Sequence, residues 1–358
     1  MRVLIAGGGV GGLVLAISLH GYGIPSTVFE AASEVRELGV GINLLPHAVR
    51  ELAAAGLLPA LDAVGIRTRV LRYLDRFGNV IWAEPRGLYA GQDVPQFSMH
   101  RGKLHGVLWR AAADTLPPGT LRTGMRLVGV EQHARGVTAI AGDGRGKLVL
   151  YPIAPGERPD TRLLNWVVYA KVADGSGPPP GRQDWSRPGR VQDILPHARH
   201  IRLPFIDVET VIRTSPFAAE YPMCDRDPLP WWTQGHATLL GDAAHPMYPV
   251  GSNGASQAIL DARCLARLLA EMEPEAALAA YEADRLPTTA AIVRSNRLGG
   301  PERVIDFVSA RAPDGFADIA EVASTAELAE IVSGYARTAG FAVTAQEAGT
   351  RPHAPPRP

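Results

Sequence analysis

The run Leu240-Gly241-Asp242-Ala243-Ala244-His245-Pro246-Met247-Tyr248-Pro249-Val250-Gly251-Ser252-Asn253-Gly254-Ala255 couples a glycine–acid turn to a glycine-rich helix start. Ala237 to Leu240 is short and apolar, as a buried strand is, and sets Asp242 at its carboxyl end. Gly251 to Gly254 leave backbone N–H groups free where Ala255 to Met272 begins a helical period. Free amides at a helix start favour negative charge. The pair suits a ligand that carries both a polyol and an anionic ring. Asp242 would accept hydrogen bonds from ribityl hydroxyls, and the helix start would stabilise a reduced, anionic flavin. From this run alone, an ordinary strand–turn–helix connection with capping residues is the alternative.

A second constellation stands at the other end of the chain. Arg2 to Ala6 reads as a strand, Gly7-Gly8-Gly9-Val10-Gly11-Gly12 supplies G-x-G-x-x-G, Leu13 to His20 continues as an apolar helix, and Ser26 to Glu30 forms a second strand. That is the βαβ context in which the glycine motif binds a dinucleotide. Gly7 permits the tight turn, Gly9 lets a pyrophosphate approach the backbone, and Gly12 lets helix and strand pack closely. Glu30 stands where an acid accepts from a ribose hydroxyl and disfavours a 2′-phosphate, which fits NAD or the ADP half of FAD.

The elements that must hold these groups follow from the rest of the chain. With 358 residues and 46% hydrophobic content, there is enough chain for a large core and two domains. Basic and acidic residues balance at 36 each, and among the basic ones only Lys103, Lys147 and Lys171 are lysine. Scattered arginine is not a basic patch, so neither nucleic acid nor an anionic membrane is implied as a partner. Cys224 and Cys264 lie far apart without metal-ligand spacing, and the 10 histidines include no H-x-x-x-H pair, so no metal site is expected. No run is long and apolar enough for a membrane span, and the expected setting is a reducing, cytoplasmic one. The sequence sets no oligomeric state.

Between Leu13 and Leu61 the pattern alternates strand and helix, with Pro46 to Leu61 helical. Val70 to Leu74 and Val80 to Ala83 then read as a hairpin, Arg101 to Ala113 as a helix, and Arg126 to Glu131 with Gly136 to Ala141 as a second hairpin. Leu148 to Ile153, Leu164 to Val172 and Phe217 to Met223 are further strands around the Pro- and Gly-rich loop Asp174 to Gly189. The fold class is α/β: a Rossmann-like nucleotide-binding domain over 1–68, 98–146 and 233–300, with an inserted sheet-rich domain over 69–97 and 147–232. A helical region follows over 301–350, and the proline-rich tail 351–358 is expected to be disordered.

Taken together, these residues resemble the single-component FAD-dependent aromatic hydroxylases, the class A flavoprotein monooxygenases, and most of all their phenazine-hydroxylating members. The likeness rests on Leu38-Gly39-Val40-Gly41-Ile42-Asn43, Glu84-Pro85-Arg86-Gly87, Met99-His100-Arg101-Gly102, Tyr151-Pro152-Ile153, Tyr221-Pro222-Met223, Asp225-Arg226-Asp227-Pro228-Leu229-Pro230, and Gly241-Asp242 through Asp261. It implies an FAD-binding domain with an inserted substrate domain, and hydroxylation of a phenazine or aromatic carboxylate with NADH or NADPH and molecular oxygen. By that resemblance, Gly7, Gly9, Gly11 and Gly12 hold the FAD pyrophosphate and Glu30 the adenosine ribose. Arg101 takes the phosphate or ribityl region and Asp242 the ribityl chain, while Gly254, Ala255 and Ser256 face the flavin ring edge. Tyr248 and Pro249 lie on the substrate side. His245 is expected to position its turn, since flavin hydroxylation demands no protein base when the ring is electron-rich.

One departure stands out. Relatives carry, after the second hairpin, a strand, a G-A-D-G-type motif and further substrate-domain strands, whereas this chain passes straight from Gly146 to Lys147 and Tyr151-Pro152-Ile153. Asp143-Gly144 does not replace the motif, because no apolar strand precedes it. Either residues are missing from the sequence, or the deletion is genuine. A genuine one joins Gly146 and Lys147 with Cα atoms about 3.8 Å apart and leaves the flavin-domain sheet short of a strand, with unpaired edge groups. A degenerate flavin-fold protein with weak nucleotide binding and no turnover is therefore the alternative to the enzyme. A nicotinamide-only dehydrogenase would leave Gly241-Asp242 and the helix start at Gly254 without a role.

Overall fold

The computed structural model describes residues 1–34, 41–125, 148–155, 162–168, 188–198, 206–220 and 225–342. The Gly146–Lys147 junction, the hairpin expected over 126–141, Cys224, most of the proline-rich loop and the tail from Arg351 lie outside the described residues.

A parallel sheet begins the chain. Strand β1 (Val3–Ala6) leads through the glycine turn into helix α1 (Val10–Gly21) and back to β2 (Ser26–Phe29), paired in register from Val3 with Ser26 to Ala6 with Phe29. Helix α1 is apolar almost all round: Leu13, Val14, Leu15, Ala16 and Leu19 are buried, so the helix belongs inside the core rather than on it. Strand β3 (Gly41–Leu44) follows. The helix expected over Pro46 to Leu61 is two helices, α2 (Pro46–Ala54) and α3 (Leu58–Asp62), because Gly56 at φ +77° reverses the chain between them. Strand β4 (Gly65–Arg67) then reaches the hairpin β5 (Val70–Leu74) and β6 (Val80–Pro85). Its turn is set by Asp75, whose Oδ1 accepts the N–H groups of Phe77 and Asn79 at 2.9 and 2.8 Å.

Strand β7 (Phe97–His100) pairs antiparallel with β3 on one side and β4 on the other. It runs directly into helix α4 (Arg101–Thr115), after which β8 (Leu121–Arg122) joins β2. The parallel sheet is thus ordered β1-β2-β8, and among the described residues it ends at β1. There Ile5, facing α1, is 6% exposed, whereas Leu4 is 63% exposed and Ala6 is also exposed. The run Ala237 to Leu240 does not restore this edge: only β12 (Ala237–Thr238) is extended, and it pairs with β11 (Thr233–Gln234) in a separate ribbon. The strand expected there is shorter and less buried than its apolar sequence suggests.

Strands β9 (Leu148–Pro155) and β10 (Arg162–Val168) form an antiparallel pair that abuts the β3-β7-β4 sheet, where the Gly41 N–H donates to Asn165 Oδ1 at 2.8 Å. Helices α5 (Val191–Ala198) and α6 (Val208–Thr214) pack on it through Leu195, Ala198 and Ile212. Of the strand expected over Phe217 to Met223, the described part contributes one isolated bridge, Ala219 to Pro188.

From Gly254 on, the described chain is mainly helical, as its sequence indicates: α7 (Gly254–Glu271), α8 (Pro274–Arg297), α9 (Arg303–Arg311) and α10 (Thr325–Ala339). Helix α10 opens on a capping box between Ser324 and Glu327 and closes on Gly340 at φ +79°. Helix α7 packs on α1 within the main core, while α9 and α10 share a smaller core with the β5–β6 hairpin through Tyr73, Ile81, Val304, Val308, Leu328 and Val332. No helix among the described residues is long and apolar enough to cross a membrane.

Candidate flavin site

The glycine turn has the geometry its sequence requires. Gly7 sits at φ +103° and its N–H donates to the Phe29 carbonyl at 2.8 Å, tying the turn to β2. A Cβ on Gly12 would overlap the Gly7 carbonyl oxygen, so α1 can approach β1 only as glycine there, and one on Gly11 would lie 2.5 Å from Leu240 Cδ2 and push that side chain aside. Gly9 differs: a Cβ there would meet nothing within 4 Å. The space above Gly9 is open, as a bound phosphate group requires. Glu30 is fixed by two backbone donors, Gly8 N–H to Oε2 at 2.8 Å and Ala32 N–H to Oε1 at 2.7 Å.

Helix α4 supports the turn from behind in a way the sequence motif does not announce. His105 Nε2 donates to the Gly8 carbonyl at 2.5 Å, and the Trp109 ring lies beside Gly8. Their one readable signal is the helical spacing from Arg101, which places His105 and Trp109 one and two turns further along the same face. Arg101 itself is exposed at the helix start and takes no carboxylate partner among the described residues.

At the second constellation, Gly241 adopts φ +60° and opens a 3-10 turn, Gly241–Ala243, that leaves Asp242 exposed. A Cβ on Gly254 would be 3.9 Å from Asp242 Oδ1, so the acid and the start of α7 are neighbours. Behind them lies Asp261, fully buried. Its Oδ2 accepts the Gly241 N–H at 3.0 Å and faces His245 Nε2 at 2.6 Å, and its Oδ1 accepts Arg285 Nε at 2.8 Å. Burial pushes the Asp261 carboxyl up, but His245 and Arg285 outweigh it and hold it below the usual carboxylate range. His245 is 3% exposed, its Nδ1 is buried without a partner, and the residue lines a small cleft with Arg226, Trp232 and Thr289. Through Asp261 it is linked to the Gly241 N–H, and so to its own turn.

Between Asp242 and α7 the chain makes a second 3-10 turn, Val250–Ser252, in which Gly251 and Ser252 have φ +68° and +57°. Ser252 Oγ accepts from Asn43 Nδ2 at 3.2 Å. Gly254 and Ala255 are half-buried with their backbone N–H groups at the helix start. Ser256 is fully buried, and its hydroxyl accepts the Leu45 N–H at 3.2 Å, so this side chain anchors the end of β3 instead of turning outward. Tyr248 is half-buried with its carbonyl accepting Asn296 Nδ2 at 2.9 Å, and Pro249 is exposed. The structure thus brings Gly7 to Gly12, Leu240, Asp242 and Gly254 together around the contact of α1 with α7.

The profile of the FAD binding domain family matches residues 1–148 and 202–296. The phenazine 1,6-dicarboxylic acid hydroxylase PhzS of Lysobacter antibioticus is 40% identical, over 82% of this chain and 89% of that protein. That alignment spans 363 positions while using only part of a 358-residue chain, so several dozen residues of the relative have no counterpart inside the matched span. The 3-hydroxybenzoate 6-hydroxylase 1 of Aquipseudomonas alcaligenes is 30% identical over 83% of this chain and 88% of that one. Among solved structures, a salicylate hydroxylase substrate complex superposes with a TM-score of 0.68 at 19% identity over 96% of this chain and 98% of that one. Klebsiella pneumoniae HpxO complexed with FAD and uric acid gives 0.62 at 20% over 95% and 93%. This chain belongs to the FAD-dependent aromatic hydroxylases, flavoprotein monooxygenases that use FAD and NAD(P)H.

Proposed function

We propose that FAD lies along the contact of α1 with α7, its pyrophosphate over Gly9 and its ribityl chain beside Asp242, and that the aromatic substrate approaches from the side of Tyr248 and Pro249. The observation that carries this reading is the contrast within the glycine turn. Gly7 is required by its positive φ and Gly12 by the Gly7 carbonyl, and Gly11 abuts Leu240, whereas Gly9 faces open space. A glycine with room above it is explained by a group that the protein itself does not supply.

On this reading each Glu30 oxygen, already holding one backbone N–H, keeps a lone pair for a ribose hydroxyl. Exposed Arg101 offers a cation to phosphate. The free N–H groups of Gly254 and Ala255 favour negative charge developing on the adjacent ring. Bound FAD supplies the redox chemistry, taking two electrons from NADH or NADPH and delivering one atom of molecular oxygen to the substrate. Asp242 fixes orientation by accepting hydrogen bonds, and His245 is committed to Asp261, where it positions its turn. The relatives named above point to a phenazine or aromatic carboxylate as substrate. The substrate side would then include 69–97 and 147–232, and the FAD domain 1–68, 98–146 and 233–300. The reducing setting expected from two cysteines far apart in the chain suits a cytoplasmic enzyme.

A degenerate protein is the competing reading, supported by the unpaired outer edge of β1 among the described residues and by the exposed Leu4. One experiment separates the two. The purified protein is expected to take up FAD and to consume NADH or NADPH faster with phenazine-1,6-dicarboxylic acid or 3-hydroxybenzoate, with oxygen-18 from molecular oxygen in the product. Label from water, or no FAD uptake, overturns the assignment. Gly9→Ala is expected to keep the thermal midpoint, because a Cβ there meets no protein atom within 4 Å, and Gly9→Val to abolish FAD binding. Unchanged FAD affinity in that variant would show that the pyrophosphate lies elsewhere.

A further inference from the structure

A continuous chain of side-chain hydrogen bonds starts behind Gly241 and returns to Tyr248, enclosing the whole segment that carries Asp242 and the start of α7. From Asp261 it passes through Arg285, whose guanidinium donates to Gln257 Oε1 at 2.6 Å. Gln257 Nε2 donates to Asn253 Oδ1 at 3.2 Å, and Asn253 Nδ2 donates to the Tyr335 hydroxyl at 2.9 Å. The Tyr335 hydroxyl donates to Asn296 Oδ1 at 2.8 Å, with the Val250 carbonyl 3.2 Å away, and Asn296 Nδ2 closes the chain on the Tyr248 carbonyl. Tyr335, on α10, is 3% exposed, and Asn253 is fully buried.

Tyr335 also meets the turn sterically. A Cβ on Gly251 would overlap its hydroxyl and ring carbons, and Gly300 packs against the other ring edge. The turn it presses on holds two successive positive φ values, one of them at Ser252. A non-glycine residue there costs about 1 kcal/mol and persists only where its surroundings over-determine it. Asn253 is the N-cap residue of α7; its side chain caps no helix N–H but is held between the Tyr335 hydroxyl and Gln257, which fixes the backbone from which the first N–H groups of that helix project.

We propose that Tyr335 is a positioning residue for the flavin ring: its hydroxyl locks Asn253 and the Val250–Ser252 turn, and so aims the N–H groups of Gly254 and Ala255. The proposal rests on the assignment of this turn to the flavin. The C-terminal helix, outside the stretch matched by the FAD binding domain profile, thereby becomes part of the flavin site.

The test compares the FAD-bound wild type with Tyr335→Phe and Val332→Ala. Val332 is buried one turn earlier on α10 in the apolar cluster with Val304, Val308 and Leu328, and has no side-chain atom in the polar chain, so its truncation weakens the packing of the helix alone. Tyr335→Phe is expected to raise the FAD dissociation constant about tenfold, on the order of 1.4 kcal/mol, and to alter the visible circular dichroism of the bound flavin. Val332→Ala is expected to lower the thermal midpoint and leave both readouts unchanged. Wild-type affinity and an unchanged flavin spectrum in Tyr335→Phe overturn the proposal, as does equal weakening by Val332→Ala. Should Tyr335→Phe fail to fold, Asn253→Ser cuts the same link from the other side and is expected to give the same weakening. A wild type that takes up no FAD removes the flavin assignment and the role of Tyr335 with it; a wild type that binds FAD while the variants match it removes Tyr335 alone.

Discussion

At Asp261 a carboxylate, a guanidinium, an imidazole and a backbone N–H share a space from which water is shut out, and both oxygens of the carboxylate are engaged. At β1, the strand that aims the glycine turn, Leu4 is 63% exposed and the outer edge carries no pairing partner among the described residues. Both regions border the proposed FAD site. The first is built from residues far apart in the chain and is over-determined; the second is built locally and, among the described residues, rests on one neighbouring strand. The difference teaches that the turn carrying Asp242 is held by contacts other than those of the sheet beneath the glycine turn, so damage to one need not reach the other.

Three measurements test this contrast. The largest effect is expected from Asp261→Ala, which leaves buried Arg285 without its counter-charge and His245 without its hydrogen-bond partner: about 3–5 kcal/mol of unfolding free energy should be lost, read from denaturant titration. A loss below about 1 kcal/mol would mean that water reaches this cluster and that the packed region is no firmer than the edge.

The packed region should also be the one that responds to pH. Burial first, then the charges of Arg285 and Arg50, lower the His47 pKa from 6.5 to about 4, and its Nδ1 is buried without a partner. The unfolded chain therefore binds more protons than the folded one between those two values. Stability from this group is complete above pH 6.5 and falls as pH drops towards 4, by about 3 kcal/mol in all. Unfolding curves at pH 7, 5.5 and 4.5 should show the decline, and His47→Leu should flatten it. An equal slope in both proteins would place the acid sensitivity elsewhere.

The smallest effect belongs to the sheet edge. Leu4→Glu should change stability by no more than about 0.5 kcal/mol, whereas Ile5→Ala, one residue on and facing α1, should cost about 2–5 kcal/mol. Comparable costs at the two positions would mean that β1 is covered on both sides, and the contrast would collapse.

Much of the site is legible in the amino-acid order because its requirements are local. Gly7 and Gly12 answer to steric demands within one turn, and strand, glycines and helix follow each other along the chain, so G-x-G-x-x-G with Glu30 is enough to mark the glycine turn and its βαβ frame. Asp242 beside Gly254 is readable for the same reason, as a turn and a helix start 12 residues apart. The split of the expected Pro46 to Leu61 helix is carried by Gly56 and its left-handed φ. Ser256 is placed outward by its position at the helix start, yet it is fully buried and serves Leu45, because which face of α7 meets the core is decided by α1 and α8.

The sequence by itself determined the glycine turn, the acid after β2, the helix start after Gly251 and the helical C-terminal third, since each depends on backbone sterics and hydrophobic period within a few neighbouring residues. Only the tertiary structure decided that His105 caps the Gly8 carbonyl, that Arg285 and His245 meet on Asp261, and that Tyr335 reaches Asn253 across 82 positions of chain. A side-chain hydrogen bond between distant elements obeys no spacing rule; it exists because packing brings two groups within about 3 Å and excludes the water that would otherwise satisfy them.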